Sequence, residues 1–106
     1  MKTRTILEGC TQVLVPMVPN DRQLSISSAD VFYNPEMELN RDISVASIAA
    51  FSESLARRRH IDLSEITYVD ALAASGIRGL RIAKEVGIDV TLNDWNEDAY
   101  NLIREN

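Results

Sequence analysis

The sequence predicts an α/β fold in two parts: an N-terminal extension of strands and loops over residues 1–43, and the first half of a parallel sheet over residues 44–106. Residues 66–72 and 88–93 are short, mostly apolar runs, which are typical of strands. Residues 77–86 between them have helical spacing. Because a strand–helix–strand unit joins parallel strands, and a covered parallel sheet usually has more than two of them, we expect the predicted sheet to be incomplete.

The composition limits the kinds of protein that the chain can be. It has 106 residues, of which 45% are apolar, and a formal net charge of −5. We therefore expect one folded domain without a broad basic face for nucleic acid. The single cysteine, Cys10, excludes an internal disulfide and a zinc site of several cysteines. No apolar run approaches the roughly 20 residues of a membrane helix, and the N-terminus has no signal-peptide pattern, so we expect a cytoplasmic protein that does not contact a membrane.

The N-terminal extension reads as strands followed by loops. Residues 5–18 predict one or two short strands around a turn at Glu8-Gly9, and prolines end this run. Residues 19–30 are polar and are predicted to be a loop. Residues 31–42 have no simple period, and the Asn34-Pro35 pair within them predicts a turn.

Three helices are predicted in the second part, each with its own boundary signal. The first runs from Ser44 to Arg59, with Asp42 or Ser44 as its N-cap. The helix over residues 77–86 ends at Gly87, a residue that favours the left-handed conformation of a helix C-terminus. Asn96 is the predicted N-cap of the last helix.

The stretch DALAASGIRG, from Asp70 to Gly79, lies where a nucleotide-binding turn is expected, between a strand and a helix. The pattern departs from G-x-G-x-x-G because Ala74 replaces its first glycine. Asp94 follows the second strand, where a carboxylate can meet the ribose hydroxyls of either NAD or S-adenosylmethionine (AdoMet). The Asp70 carboxylate favours AdoMet, since it would repel a pyrophosphate and attract an ammonium group. A purely structural role for the glycines and the two aspartates remains an alternative.

Three segments carry a resemblance to a known family: VFYNPEMELNRDISVA, YVDALAASGIRGLRIAKE and VTLNDWNEDAYNLIREN. Together they resemble the N-terminal part of the tRNA guanine-26 N2-dimethyltransferases, most closely in their archaeal style, over roughly residues 6–106. These are class I, Rossmann-like, AdoMet-dependent methyltransferases. The resemblance therefore implies the first half of such a Rossmann-like sheet, with AdoMet as cofactor and tRNA as partner.

The resemblance also implies which residues contact AdoMet. Arg41 pairs with the methionine carboxylate, Asp94 accepts hydrogen bonds from the ribose hydroxyls, and Trp95 forms a wall beside the adenine. An ion pair of Arg41 with Asp42 or Glu38 is the alternative for that arginine. The complete set of expected cofactor-binding residues is Arg41, Asp70, Ala73, Ser75, Gly76, Arg78, Asp94 and Trp95.

Residues 31–42 are interpreted as a segment that folds over AdoMet and the target base. They are not the catalytic motif, because Phe32 and Tyr33 precede Asn34-Pro35, whereas the Asp-Pro-Pro-type motif implied by the resemblance comes after a later strand. No such motif occurs in these 106 residues. We expect the chain alone to be inactive, and tRNA to be held mainly by other parts of the enzyme.

Two other interpretations stay open. In the first, the chain is a non-catalytic module or one half of a split enzyme, and it pairs with a C-terminal half or with itself through an exposed sheet edge. In the second, which is less favoured, the chain is an NAD-binding fragment.

Overall fold

The computed structural model describes residues 1–17 and 31–106 of the chain. The loop predicted over residues 19–30 lies outside the described residues. In chain order the structure contains β1 (Thr3–Glu8), β2 (Thr11–Pro16), α1 (Glu38–Arg59), β3 (Thr67–Asp70), α2 (Ile77–Arg81), β4 (Asp89–Leu92) and α3 (Glu97–Glu105). No helix in these two ranges combines the length and the hydropathy that a membrane crossing requires.

The first two strands form an antiparallel hairpin, which confirms the turn predicted at Glu8-Gly9. The pairing runs from Thr3 opposite Pro16 to Glu8 opposite Thr11. Gly9 has a φ of +58°, and a glycine with positive φ at the first of two turn residues is the preference of a type II′ hairpin turn. Glu8 is therefore the last residue of β1 and lies directly before the turn.

The predicted strand–helix–strand unit is confirmed as parallel pairing of β3 with β4, connected through α2. Thr67 lies opposite Asp89 and Asp70 opposite Leu92, so both strands are shorter than the apolar runs that predicted them. α2 continues as a π-helical turn over Ile82–Val86. These strands form a two-stranded sheet separate from the hairpin, which agrees with the predicted α/β class and an incomplete sheet.

Two of the predicted helix boundaries are confirmed. Gly87, with a φ of +82°, ends the helical run that contains α2. The Asn96 side chain accepts a hydrogen bond from the Ala99 N–H at 3.0 Å and caps α3.

The predicted start of α1 is wrong by six residues. Asn34 accepts a hydrogen bond from the Glu36 N–H at 3.0 Å and caps a 3₁₀ turn over Pro35–Met37, which leads directly into α1 at Glu38. Neither Asp42 nor Ser44 is therefore the cap. The Asn-Pro pair is a helix-start signal here, because proline suits the first position of a helix. α1 continues without a break past residue 43, and the division of the chain at that point stays a prediction.

The hairpin and the strand–helix–strand unit are packed together through small apolar clusters. Val13 and Val15 of β2 contact Tyr33 and Ile77, the first residue of α2. A second cluster joins Val31 to Ala99 and Leu102 of α3, and a third fills the space between α1, α2 and the second sheet around Ile66, Ile82 and Ile88. This packing brings the start of α1 and the loop after β3 to the same place.

Candidate cofactor site

A pocket of about 120 Å³ lies at the carboxyl end of β3. One side of it is formed by the end of β3, the loop that follows and the start of α2, and includes Asp70, Ala73, Ser75 and Arg78. Since small-molecule sites usually have volumes from roughly 300 Å³ upward, this pocket has room for only one end of a cofactor-sized ligand.

The opposite side of the pocket comes from the segment that leads into α1. Phe32, Tyr33, Asn34 and Met37 line it, together with Arg41, the fourth residue of α1. This placement follows from the early start of α1, which turns the Arg41 side chain inward. The pocket is therefore shared between the N-terminal segment and the turn after β3.

Asp70 is a half-buried carboxylate that lines the pocket. Its Oδ2 accepts a hydrogen bond from the Gly79 N–H at 3.2 Å. Burial raises the pKa of Asp70 above its ordinary value of 3.8, and the hydrogen bond from Gly79 and the charge of Arg78 oppose this rise only in part. A cationic group bound in the pocket would stabilise the ionised form.

The two glycines of the turn are required by its backbone and by its packing. Gly76 has a φ of +85°, a conformation that side chains disfavour. At Gly79, a Cβ would collide with the Leu92 side chain and lie 3.2 Å from the Cβ of Asp70. The close approach of α2 to both strands therefore depends on the absence of a side chain at Gly79.

Asp94, two residues after the end of β4, holds the conformation of the turn. Its Oδ2 accepts a hydrogen bond from the Ala74 N–H at 2.9 Å, and its Oδ1 accepts one from the Asn96 N–H at 2.9 Å. Ala74 has a φ of +50°, which is costly for a residue with a side chain. The hydrogen bond from its N–H to Asp94 helps to hold that conformation.

Arg41 lies in a buried network of charges. Its Nε and Nη2 donate to the two carboxylate oxygens of Glu8 at 2.6 and 2.8 Å, and Nη2 also donates to the Asn34 carbonyl at 3.1 Å. The guanidinium carbon is 5.2 Å from the centre of the Tyr33 ring. The expected alternative partners Asp42 and Glu38 are thus wrong, because the early start of α1 points Arg41 toward β1.

Arg81 completes this network from α2. It donates to Glu8 at 3.0 Å, to Asp42 at 2.7 Å and to Glu85 at 2.8 and 3.2 Å. The hydrogen bonds from Arg81 hold the pKa of Glu85 below its ordinary value, and burial opposes this effect. The hairpin, α1 and α2 therefore meet at one set of alternating charges.

Comparison with known sequences identifies the family of the chain. The profile of the N2,N2-dimethylguanosine tRNA methyltransferases matches residues 11–106. The chain belongs to this family. It is 58% identical over 106 residues to a tRNA (guanine(26)-N(2))-dimethyltransferase of Methanosarcina acetivorans and 59% identical over 106 residues to that of Methanosarcina mazei; each alignment covers the whole chain and 27% of the relative.

A more distant archaeal relative of the same name, from Pyrococcus abyssi, is 38% identical over 107 residues, and the alignment covers the whole chain and 24% of that protein. The chain thus spans about a quarter of the length of these relatives.

In this dimethylguanosine tRNA methyltransferase family member, the structure brings together five of the eight expected cofactor-binding residues. Arg41, Asp70, Ala73, Ser75 and Arg78 line the pocket. Arg78 Nη1 also donates to the Ser44 Oγ of α1 at 2.6 Å, so it connects the two sides of the site.

The other three expected residues lie around the pocket. Gly76 and Asp94 shape the turn behind it, and Trp95 is 89% exposed beyond Asp94. Residues 31–42 were expected to cover the cofactor, and Arg41 was the one residue among them expected to contact it. Tyr33 and Asn34 also line the pocket. The Asn34-Pro35 pair was the signal that could have indicated them, since an N-cap and its neighbour are held in fixed positions at a helix start.

Proposed function

We propose that the chain forms the AdoMet-binding part of an enzyme that methylates the N2 amine of a guanine in tRNA. The observation that supports this best is the pairing of opposite charges in the pocket. Asp70 presents a carboxylate, and Arg41 and Arg78 present guanidinium groups around the same 120 Å³. The methionine end of AdoMet carries one ammonium and one carboxylate group, which match these charges.

The residues around the pocket have distinct parts in this proposal. Asp70 takes the ammonium group and Arg41 takes the carboxylate of the methionine end. Each Asp94 oxygen already accepts one backbone hydrogen bond and has capacity for another, so Asp94 remains suited to the ribose hydroxyls. Trp95, exposed directly after it, is available beside the adenine.

AdoMet supplies an electrophilic methyl group on its sulfonium. The chain orients this group and excludes water with the segment around Phe32 and Tyr33. A guanine in the core of a folded tRNA has to leave its stack before its N2 amine can reach such a pocket. The tRNA substrate is proposed because the relatives are named for guanine 26 of tRNA.

An NAD site fits the same pocket poorly. The pyrophosphate would lie near the Asp70 carboxylate, and the turn has Ala74 where the dinucleotide pattern has its first glycine. If the chain is instead a module that binds no cofactor and acts only with a partner, neither AdoMet nor NAD should bind.

Calorimetric titration of the purified chain with AdoMet and with NAD tests the proposal. We expect saturable AdoMet binding that NAD does not displace, and about tenfold weaker AdoMet binding in Asp70→Asn, because the variant loses a charge-assisted contact. Asp89→Asn is the matched control, since Asp89 is an exposed aspartate at the opposite end of the parallel strand pair. Displacement by NAD, or equal AdoMet affinity in Asp70→Asn and Asp89→Asn, would contradict the proposal.

We also propose that these 106 residues alone do not methylate tRNA. The Asp-Pro-Pro-type motif that the family resemblance implies for the catalytic step is not among them. Transfer of a labelled methyl group to tRNA by the purified chain would show that this is wrong.

A further inference from the structure

Glu8, the last residue of β1, is 3% exposed and lies behind the cofactor pocket. It precedes residues 11–106, which the family profile matches. Its two oxygens accept hydrogen bonds from Arg41 Nε and Nη2 in a bidentate pair, and one of them also accepts a hydrogen bond from Arg81 Nη1. A buried carboxylate held by two arginines has very little freedom to turn.

The bidentate pair determines which edge of Arg41 can face a ligand. Nε and Nη2 are occupied by Glu8, and Nη2 also serves the Asn34 carbonyl. Nη1 makes no hydrogen bond with any residue in the ranges 1–17 and 31–106, and Arg41 lines the pocket. A ligand carboxylate would therefore meet the Nη1 end of the guanidinium, and the side-on bidentate contact through Nε and Nη2 is not available to it.

We infer that Glu8 is a positioning residue, which orients the guanidinium of Arg41 toward the carboxylate of the bound cofactor. The inference rests on the proposed function and adds a residue of the hairpin to the cofactor site. Of the protein side chains, only a carboxylate presents two acceptor oxygens to the parallel N–H groups of the arginine fork. In Glu8→Gln, the side-chain NH₂ group would face the donors of Arg41 or Arg81, so one arginine has to turn away.

The test compares two ligands that differ only in the group that Arg41 is proposed to bind. AdoMet and decarboxylated AdoMet are titrated into the wild-type chain, Glu8→Gln, Arg41→Ala and the double variant. We expect Glu8→Gln to weaken AdoMet binding about tenfold, the loss of one charge-assisted contact, and to leave the affinity for decarboxylated AdoMet unchanged. We expect the double variant to bind AdoMet no more weakly than Arg41→Ala, because Glu8 acts through Arg41.

Glu85→Gln is the matched control, since it removes another carboxylate of the same network that contacts Arg81 and Thr11 but not Arg41. It should change neither affinity. Glu8→Asp gives a second test if Glu8→Gln is unfolded by circular dichroism. Its shorter side chain cannot reach both donors of Arg41, so the same selective loss is expected.

Equal weakening for both ligands in Glu8→Gln would overturn the inference, since it indicates a general structural role. Unchanged AdoMet affinity in Glu8→Gln, with a selective loss in Arg41→Ala, would also overturn it while leaving the proposed function intact. A failure of the proposed function has a different signature: the wild-type chain binds neither ligand, or Arg41→Ala binds AdoMet as tightly as the wild type.

Discussion

Replacement of Arg81 by methionine tests whether the buried charge network stabilises the fold. Arg81 is 3% exposed and donates to Glu8, Asp42 and Glu85, which come from β1, α1 and the π-helical turn after α2. Methionine fills most of the space of the arginine stem, so the change removes charge and hydrogen bonds without opening a large cavity. Among the residues 1–17 and 31–106, the buried Glu8 then retains Arg41 as its arginine partner.

The size of the effect follows from the burial of each contact. Removing one partner of a buried ion pair costs about 3–5 kcal/mol, whereas the contact with the half-exposed Asp42 contributes roughly 0–1 kcal/mol. Because Arg41 still neutralises Glu8, we expect a loss near the lower end, about 3 kcal/mol. With native stabilities of about 5–15 kcal/mol, this is a large part of the free energy of unfolding.

Urea denaturation followed by circular dichroism measures this loss. With a slope of about 1.5 kcal/mol/M, the midpoint should fall by roughly 2 M. Lys84→Met is the matched control, because Lys84 is an exposed cation in the next helical turn, and its free energy of unfolding should stay within about 0.5 kcal/mol of the wild-type value. Equal midpoints for the two variants would refute the view that the network stabilises the fold.

The network also predicts how this difference changes with pH. The pKa of Glu85 is lower in the folded chain than its ordinary value of 4.5, chiefly because of the hydrogen bonds from Arg81. Its contribution to stability is therefore present above about pH 4.5 and is lost as the pH falls through the lower pKa of the folded state. The stability difference between the wild type and Arg81→Met should narrow in that acidic range. A stability difference that stays constant as the pH falls would show that Glu85 does not contribute to the loss of stability in Arg81→Met.

Three further predictions concern the turn and its surroundings. Gly76→Ala should lower stability by about 1–2 kcal/mol in urea denaturation, because the φ of +85° disfavours a side chain; an unchanged midpoint would contradict this. AdoMet affinity should fall on acidification at a higher pH than an ordinary aspartate gives, because burial raises the pKa of Asp70 and the protonated carboxyl no longer attracts an ammonium group; the same pH profile in Asp70→Asn would count against it. Asn106→Ala should cost about 2–3 kcal/mol in thermal unfolding, since its amide makes three hydrogen bonds of 2.7–3.0 Å to the backbone of Leu14 and Ser75; a loss below 0.5 kcal/mol, on the order expected for a surface change, would contradict it.

The elements that could be predicted from the sequence are those with local signals. The strand–helix–strand unit, the Gly87 terminus and the Asn96 cap each follow from spacing or from one residue type within a few positions. The start of α1 also had a local signal in Asn34-Pro35, but the same pair is common in turns, and the weak apolar stripe that begins at Val45 favoured a later start.

The contacts that position Arg41 had no such signal. Its partner Glu8 is 33 residues away along the chain, and Arg81 is 73 residues from Glu8. Charged side chains carry no periodicity that would show which of them are buried together. Asp42 and Glu38, one and three residues from Arg41 along the chain, were the nearest candidates. Only the packing of the hairpin against α1 and α2 explains why Glu8 takes their place.

The charge network and the pocket join the two predicted parts of the chain. The extension predicted over residues 1–43 supplies Glu8 and Arg41, and the second part supplies Arg81 and Asp70. If the hairpin detached, Arg41 and Arg81 would both lose a buried counter-charge, a cost on the scale estimated above for one broken pair. A ligand that binds Arg41 in its present orientation therefore also stabilises the hairpin, by linkage. The hairpin and the turn after β3 are thus expected to unfold together, and the cofactor should strengthen that coupling.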